Sequence, residues 1–184
     1  IKEAVTVRQR CLEIFQNFGQ EIGGDAGYFG NGRIWVVPEE KKEMLEADVA
    51  RHQQWGAKLG LISIAEVKEL LPQVNLEGIG AAAYFEDSGN CDPVAVTNAY
   101  AKRARDLGVA IYEEIEVTDI RVSRGKIQSV VTNQGEISTP VVVNAAGLWS
   151  DRIGRMVGIE IPISVQRQQS VLLKRPYDFS GIFP

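Results

Sequence analysis

The chain has 184 residues, 45% of them hydrophobic, and its 24 acidic and 20 basic side chains leave a net charge of −4. This acidic balance, without a cluster of lysine and arginine among aromatic residues, disfavours a nucleic-acid partner. No apolar run approaches the roughly 20 residues that span a bilayer. We therefore expect a cytoplasmic protein that can bury a sizeable core and has no membrane span.

The cysteines and the histidine do not suggest a metal site. Cys11 and Cys91 lie far apart without a CxxC pair, and His52 is the single histidine, so the ligand count excludes zinc and iron–sulfur centres. Cys91 precedes a predicted helix start, which can activate a thiol, but a loop cysteine without chemistry is the simpler interpretation. His52 falls on a predicted solvated helix face, and we assign it no catalytic role.

The N-terminal region predicts a helix and then a hairpin. Apolar residues recur at helical spacing between Ile1 and about Glu21, at Val5, Leu12, Phe15 and Phe18. The turn-forming sequence Gly30-Asn31-Gly32 predicts two short strands between Tyr28 and Val37.

Two further helices are predicted before residue 72. A charged amphipathic helix runs from Glu39 to about Leu59, with an apolar face made of Met44, Leu45, Val49 and Trp55. Ser63 and Glu66 form a capping-box pattern, which predicts a short helix that ends at Leu71.

Residues 78–83 resemble a dinucleotide fingerprint in its looser Gly-x-Gly-x-x-Ala form. That fingerprint requires a hydrophobic strand before it and a helix after it, and neither flank fits. We predict instead a strand near Ala81–Phe85.

From residue 92 onward, one helix gives way to β-rich segments. Asp92 is a good N-cap with Pro93 at the first helical position, and the helix runs to about Asp106. The turn signals that follow predict an antiparallel meander after a first strand; these strands are Val109–Tyr112, Ile115–Val122, Lys126–Thr132 and Glu136–Ser138. The segment Ile161–Lys174 is again β-rich.

The segment Thr139–Ser150 is the most informative. Its all-apolar run, Val141–Val143, predicts a parallel strand covered on both faces. Asn144-Ala145-Ala146-Gly147 then lacks side-chain bulk just before a helix start, so backbone N–H groups can approach a phosphate closely. By spacing alone, an ordinary tight strand-to-helix turn is the favoured alternative.

Taken in order, these segments resemble the FAD-dependent amine oxidoreductases of the D-amino-acid oxidase superfamily. They are most similar to the group of sarcosine oxidase, glycine oxidase and dimethylglycine dehydrogenase. The resemblance covers nearly the whole chain and rests on Gly27–Trp35, Ser63–Pro72, Asp92-Pro93, Leu107–Tyr112, Glu116–Ile120 and Val142–Ser150.

The resemblance implies an α/β fold in which a partial Rossmann-like FAD-binding domain with a meander is interleaved with a β-rich substrate domain. We expect residues 1–26 and 93–158 in the former and residues 27–92 and 159–184 in the latter. The family's opening Gly-x-Gly-x-x-Gly turn and its later flavin-facing glycine-rich segment are missing from this sequence. We therefore interpret the chain as an internal fragment that binds FAD weakly or not at all by itself.

The resemblance also implies cofactor contacts. The backbone of Val117 is expected to meet the adenine, and the diphosphate and adenosine are lined by Ala145, Ala146, Gly147 and Trp149.

Four residues are candidates for binding a substrate carboxylate, although surface ion pairing is the simpler role for each arginine; they are Arg33, Tyr84, Arg167 and Gln169. No motif identifies a catalytic residue, as expected where the flavin ring takes the hydride.

The implied activity is oxidation of the C–N bond of a small secondary or tertiary amine, such as sarcosine, glycine, dimethylglycine or proline. Two alternatives stay open: a superfamily flavoprotein that acts on a hydroxy acid or glycerol phosphate, and a non-catalytic subunit that keeps the fold without flavin. The electron acceptor and the assembly, whether a homo-oligomer or a complex with a partner subunit, are also open.

Overall fold

The computed structural model describes residues 2–169, which fall into two compact units. The first unit comprises residues 2–110 and the second comprises residues 111–169. Helices and antiparallel strands mix in an α/β fold, as predicted. The interleaved cofactor and substrate domains stay a prediction.

The first unit is built around a three-stranded antiparallel sheet. Its strands are β1 (Arg33–Pro38), β2 (Leu59–Ile62) and β3 (Ile79–Phe85), in the order β1-β3-β2. The helices of this unit are α1 (Lys2–Gln16), α2 (Phe18–Glu21), α3 (Lys42–Gln54), α4 (Ile64–Leu70) and α5 (Pro93–Asp106), and a 3-10 turn spans Glu39–Lys41.

The core of the first unit lies between α3 and one face of this sheet. Leu45 and Val49 on α3 are buried against alternate residues of the strands, whose side chains share one face. The strand residues of this cluster are Val37, Leu59, Ala81, Ala83 and Phe85. A second, aromatic cluster joins the N-terminal helices to α5 through the edge-on contact of Phe18 with Tyr100 at 5.8 Å.

Two of the predicted helices in this unit begin as expected. The capping box is present, because the Ser63 hydroxyl accepts from the N–H of Glu66 and the Glu66 carboxylate accepts from the N–H of Ser63. The Asp92 carboxylate accepts from the N–H groups of Val94 and Ala95. Asp92 therefore caps α5 as predicted.

The predicted N-terminal helix is interrupted. Asn17 leaves helical geometry at φ −116° and ψ 27°, and its side-chain amide donates to the carbonyl of Glu13 at 2.9 Å. Asparagine competes with the helix in this way through its own short side chain. The result is two helices, α1 and α2, in place of one.

The predicted hairpin around Gly30-Asn31-Gly32 is wrong. Phe29 exchanges both backbone hydrogen bonds with Asn90, at 2.8 and 2.9 Å, instead of pairing with β1. Gly32 donates to the carbonyl of Ser88 at 3.0 Å. The distant segment at residues 88–90 therefore takes the bonds that a local hairpin needs.

The predicted helix from Glu39 to Leu59 is too long. It ends at Gln54, because Gly56 adopts a φ of +87° that stops the helix. Leu59 then starts β2, a strand that the sequence did not predict. Met44, expected on the apolar face, is 47% exposed.

The second unit contains the predicted meander. Its strands β4 (Val117–Ser123), β5 (Lys126–Thr132) and β6 (Gly135–Ser138) pair antiparallel in chain order. A 3-10 turn at Gly147–Trp149 leads into α6 (Ser150–Met156), which contacts β4. The β4–β5 turn at Arg124 and Gly125 has two positive φ angles, 51° and 72°, as tight hairpins favour.

Three predicted β segments are not strands in this unit or at its border. Val109–Tyr112 and Val141–Val143 are irregular, and Val143 is 85% exposed. A buried strand requires neighbours on its edges, and no described strand of this chain pairs with either segment. Residues 161–169 of the predicted Ile161–Lys174 run are also irregular, and the remainder lies outside the described residues.

Within residues 2–169, every helix is too short or too polar to cross a bilayer. In the same part of the chain, no three His, Cys, Asp or Glu side chains lie close enough to share a metal ion.

Candidate functional site

The turn at residues 144–150 is organised by one side chain. The side-chain oxygen of Asn144 accepts from the backbone N–H of Ala146 at 3.2 Å. Its side-chain amide donates to the carbonyl of Ser150 at 2.9 Å. Asparagine commonly folds a chain back on itself in this way. Asn144 therefore connects the start of the turn to the start of α6.

The backbone inside this turn is open on one side. Gly147 has a φ of +54°, and a Cβ built there meets no heavy atom within 4 Å. The N–H groups of Ala145 and Gly147 have no acceptor among the described residues. The turn thus presents two N–H donors, those of Ala145 and Gly147, that have no acceptor among the described residues. They lie beside the Gly147 Cα, which carries no side chain.

The aromatic ring that follows the turn is accessible. The N–H of Trp149 donates to the carbonyl of Ala146 at 3.0 Å, which closes the 3-10 turn. The Trp149 residue itself is 57% exposed. Four of the five predicted cofactor residues therefore lie in one turn; they are Ala145, Ala146, Gly147 and Trp149. All of them except Ala146 are exposed.

Val117, the fifth predicted cofactor residue, opens β4 in the same unit. It is half-buried and pairs with Thr132 on β5. The residue before it, Glu116, exchanges hydrogen bonds with Asn133, whose N–H donates at 3.0 Å and whose side-chain oxygen accepts at 3.2 Å. The backbone at the start of β4 is held in place by this pair of bonds.

The candidates for carboxylate binding are divided between the two units, and the pair in the first unit does not share a face of the sheet. On β1 and β3, Arg33 is opposite Phe85 and Ile34 is opposite Tyr84. Because side chains alternate along a strand, Arg33 and Tyr84 project from opposite faces of the sheet. Arg167 and Gln169 are exposed residues of the second unit.

The remaining sequence candidates have structural roles or none. The strand predicted near Ala81–Phe85 is present as β3, which also includes Gly80, where a Cβ would overlap the backbone of Glu39. Cys11 and Cys91 are both exposed. The prediction of a solvated His52 is wrong, because its ring is half-buried against Trp55 with centroids 5.5 Å apart.

Sequence reasoning did not assign a role to the Asn144 side chain. The signal was available, because asparagine just before two small residues is typical of a side-chain-closed turn. The small residues 145–147 predict an open turn, whereas the side chain of Asn144 holds that turn in place.

Comparison with known proteins identifies the family. Residues 2–184 match the DAO family model, described as FAD dependent oxidoreductase. The chain is 26% identical to mitochondrial sarcosine dehydrogenase of Mus musculus over 168 residues, which is 88% of this chain and 18% of that protein. It is 29% identical to mitochondrial dimethylglycine dehydrogenase of Rattus norvegicus over 163 residues, 87% of this chain and 19% of that protein.

A solved structure extends the likeness to the fold. The L-proline dehydrogenase of P. horikoshii superposes with a TM-score of 0.76 at 27% identity, covering 85% of this chain and 41% of that one. The chain thus spans less than a fifth of the curated relatives and under half of the structural one. Since the family match runs through both units, this chain belongs to the DAO family of FAD-dependent oxidoreductases.

Proposed function

We propose that Val117 and residues 145–149 bind the adenosine diphosphate part of FAD. We propose further that the protein containing this segment oxidises the C–N bond of a small secondary or tertiary amine. The observation that carries the first proposal is the turn closed by Asn144, which leaves N–H donors and the bare Gly147 position open.

The chemistry of this turn suits a diphosphate. Backbone N–H groups that lack partners are effective donors to phosphate oxygens, and a missing side chain allows close approach. The N–H groups of Ala145 and Gly147 would donate to the diphosphate, and Asn144 keeps their orientation. The exposed ring of Trp149 offers an apolar surface to the adenosine.

In this proposal, the turn at residues 144–150 holds the cofactor in place, and the flavin supplies the redox chemistry. When bound, the flavin ring accepts the hydride, so the protein needs no catalytic dyad of its own for that step. Consistent with this division, the turn lacks ionisable side chains between residues 144 and 150.

The amine substrate is inferred from the relatives. Sarcosine, dimethylglycine and proline, which appear in their names, are small amino acids with a secondary or tertiary amine. A cytoplasmic location stays a prediction from the sequence, and both mammalian relatives are named as mitochondrial proteins. The acceptor and the assembly also stay open.

A pair of glycine variants tests the cofactor proposal on the 184-residue chain. Gly147 and Gly125 both lie in the second unit, both have positive φ, and a Cβ meets nothing within 4 Å at either. Replacement by alanine therefore strains both backbones similarly, by about 1–2 kcal/mol. Gly147→Ala adds bulk inside the proposed diphosphate site, and Gly125→Ala adds it at the β4–β5 turn.

The measurement is a titration of the 15N-labelled chain with ADP, followed through amide chemical shifts. We expect weak binding, with shifts confined to Val117 and residues 145–149, that Gly147→Ala abolishes and Gly125→Ala retains. Equal loss in both variants, or no shift at these amides up to about 10 mM ADP, would contradict the proposal, since a Kd of about 1 mM is then saturated. Stoichiometric FAD on the isolated chain would contradict the expectation of weak binding.

The substrate class is tested on the full-length protein. We expect turnover of sarcosine, dimethylglycine, glycine or proline, measured with an artificial electron acceptor. Turnover of glycerol phosphate or a 2-hydroxy acid in place of every amine would support the alternative flavoprotein activity. Flavin loading without any turnover would favour the non-catalytic subunit.

A further inference from the structure

A cleft in the first unit is lined by none of the residues proposed to bind the cofactor. It encloses about 170 Å³ beside α1, the end of α3 and the end of β3. Its apolar surface is formed by Val5, Leu12, Ala57 and Phe85. Val5 and Phe85 are buried, so the floor of the cleft is part of the folded core.

One cation in this cleft is held in place without an acidic partner. The guanidinium carbon of Arg8 lies 5.4 Å from the centre of the Phe85 ring, within the range of a cation–π contact. Among residues 2–169, Arg8 makes no ion pair or side-chain hydrogen bond. The contact therefore orients the group and leaves its five N–H donors available.

Arg10, two positions later on α1, differs in this respect. It donates to both carboxylate oxygens of Glu21 at 3.0 Å and to Glu13 at 3.2 Å. These bonds, with Glu21 first, raise the pKa of Arg10 above its ordinary value. One helix thus carries an ion-paired arginine outside the cleft and, inside it, an arginine that has no ion pair with the described part of the chain.

The other charged groups of the cleft leave it with a positive excess. The ammonium group of Lys58 lies 3.3 Å from the carboxylate of Asp87, so these two charges largely cancel. Arg8 is then the uncompensated charge among the lining residues. A ligand that fits here should carry one negative charge.

The wall of the cleft is fixed by a hydrogen bond between distant parts of the unit. The side-chain amide of Gln9 donates to the carbonyl of Gly56 at 2.6 Å, which ties α1 to the loop after α3. His52 lines the cleft beside this loop and packs on Trp55. The cleft is therefore formed before any ligand arrives.

We propose that this cleft binds a small monocarboxylate with an apolar body about the size of a benzene ring. An apolar cavity of about 150 Å³ holds benzene, so a volume of this order suits such a body. The apolar floor would receive the body, and Arg8 would bind the carboxylate, for which its planar donor set is suited.

The test compares phenylacetate with its neutral analogue phenylacetamide, each titrated into the 15N-labelled chain. We expect phenylacetate to shift the amides of residues 8, 9, 57, 58 and 87 with a Kd on the order of 1 mM. Phenylacetamide should bind at least tenfold more weakly, because it lacks the charge. Equal binding of the two compounds would overturn the proposal.

Two arginine variants separate the role of the cleft cation from a general charge effect. Arg8→Gln should weaken phenylacetate binding at least tenfold, and Arg10→Gln, the matched control on the same helix, should leave it within twofold. Glutamine and arginine have similar helix propensities, so α1 is preserved in both. Equal weakening in the two variants would indicate general attraction and would overturn the proposal.

A third variant changes binding in the opposite direction. Asp87→Asn removes the charge that neutralises Lys58 and should tighten phenylacetate binding severalfold. Unchanged or weaker binding would contradict the charge assignment. Shifts confined to residues 145–149 would place the anion at the proposed cofactor turn and overturn the cleft proposal, and the ADP titration tests that turn independently.

Discussion

Asn144 and Ser150 are joined across the turn by a 2.9 Å hydrogen bond from the side-chain amide to the carbonyl. The side-chain oxygen of Asn144 also accepts from the N–H of Ala146, so this one residue is bonded both to the middle and to the end of the turn. The geometry of residues 145–147 therefore depends on a side chain that the proposed ligand does not need to touch.

Replacing Asn144 by alanine should loosen this turn. The loss of two exposed hydrogen bonds should cost about 1 kcal/mol of unfolding free energy or less, and amide hydrogen exchange should accelerate at residues 145–150. ADP binding should weaken because the donors lose their orientation. The control Gln128→Ala removes one exposed side-chain hydrogen bond within β5. It should change neither amide exchange at residues 145–150 nor ADP binding. Unaltered exchange in Asn144→Ala would show that the backbone holds the turn alone.

Gly80 on β3 lies directly against the 3-10 turn that precedes α3. A Cβ there would come within 2.5 Å of the backbone nitrogen of Glu39, which cannot move aside as a side chain would. We expect Gly80→Ala to lower the unfolding free energy by about 2 kcal/mol, the usual cost of overpacking. The measurement is urea unfolding followed by circular dichroism.

Gly60 on β2 is the matched control for this variant. It lies in the same sheet, and a Cβ there meets nothing within 4 Å. Gly60→Ala should change stability by less than about 0.5 kcal/mol. A similar loss of unfolding free energy in both variants would contradict this prediction. It would mean that replacing any strand glycine destabilises the sheet, whether or not the glycine contacts Glu39.

Glu66 should make stability depend on pH in the acid range. Hydrogen bonds from the backbone and then the side chain of Ser63 hold the pKa of Glu66 below its ordinary value of 4.5. Because the pKa of Glu66 is lower in the folded state, its carboxylate stabilises the fold at pH values above the ordinary pKa. This contribution is lost as the pH falls through the pKa of the folded state. The difference in unfolding free energy between the wild type and Glu66→Gln should therefore shrink between neutral pH and acid.

This difference is measured by urea unfolding at several pH values. Glu69→Gln on the same helix removes a carboxylate without a hydrogen bond among the described residues, and it should show no such trend. A carbon-13 titration of the Glu66 carboxyl should give a midpoint below 4.5. A midpoint at or above that value would contradict the effect of the capping box.

Local signals in the sequence predicted the elements whose bonds are also local. Asp92 and Pro93 correctly located the start of α5, and Ser63 with Glu66 located the start of α4. The meander was also predicted, because its strands pair with chain neighbours through short turns. In each case the partner groups lie within a few residues of the signal.

Elements that depend on distant partners were less predictable. Phe29 pairs with Asn90 and not with its predicted hairpin partner. The apolar run Val141–Val143 has the composition of a buried strand, but no described strand lies beside it. Composition predicts a preference for β structure, whereas pairing requires a second strand.

The sequence by itself determined the family, the α/β class and the bare turn at residues 145–147, because each depends on residue types in a fixed order. Only the tertiary structure showed that Asn144 closes that turn, and that Arg8 lies over Phe85 in a cleft without an ion pair to any residue between 2 and 169. Arg8 and Arg10 are the same residue type two positions apart on one helix. Residues two positions apart point in different directions around a helix. Their spacing along the chain does not specify which distant residues lie in each direction, and these determine which arginine has an acidic partner.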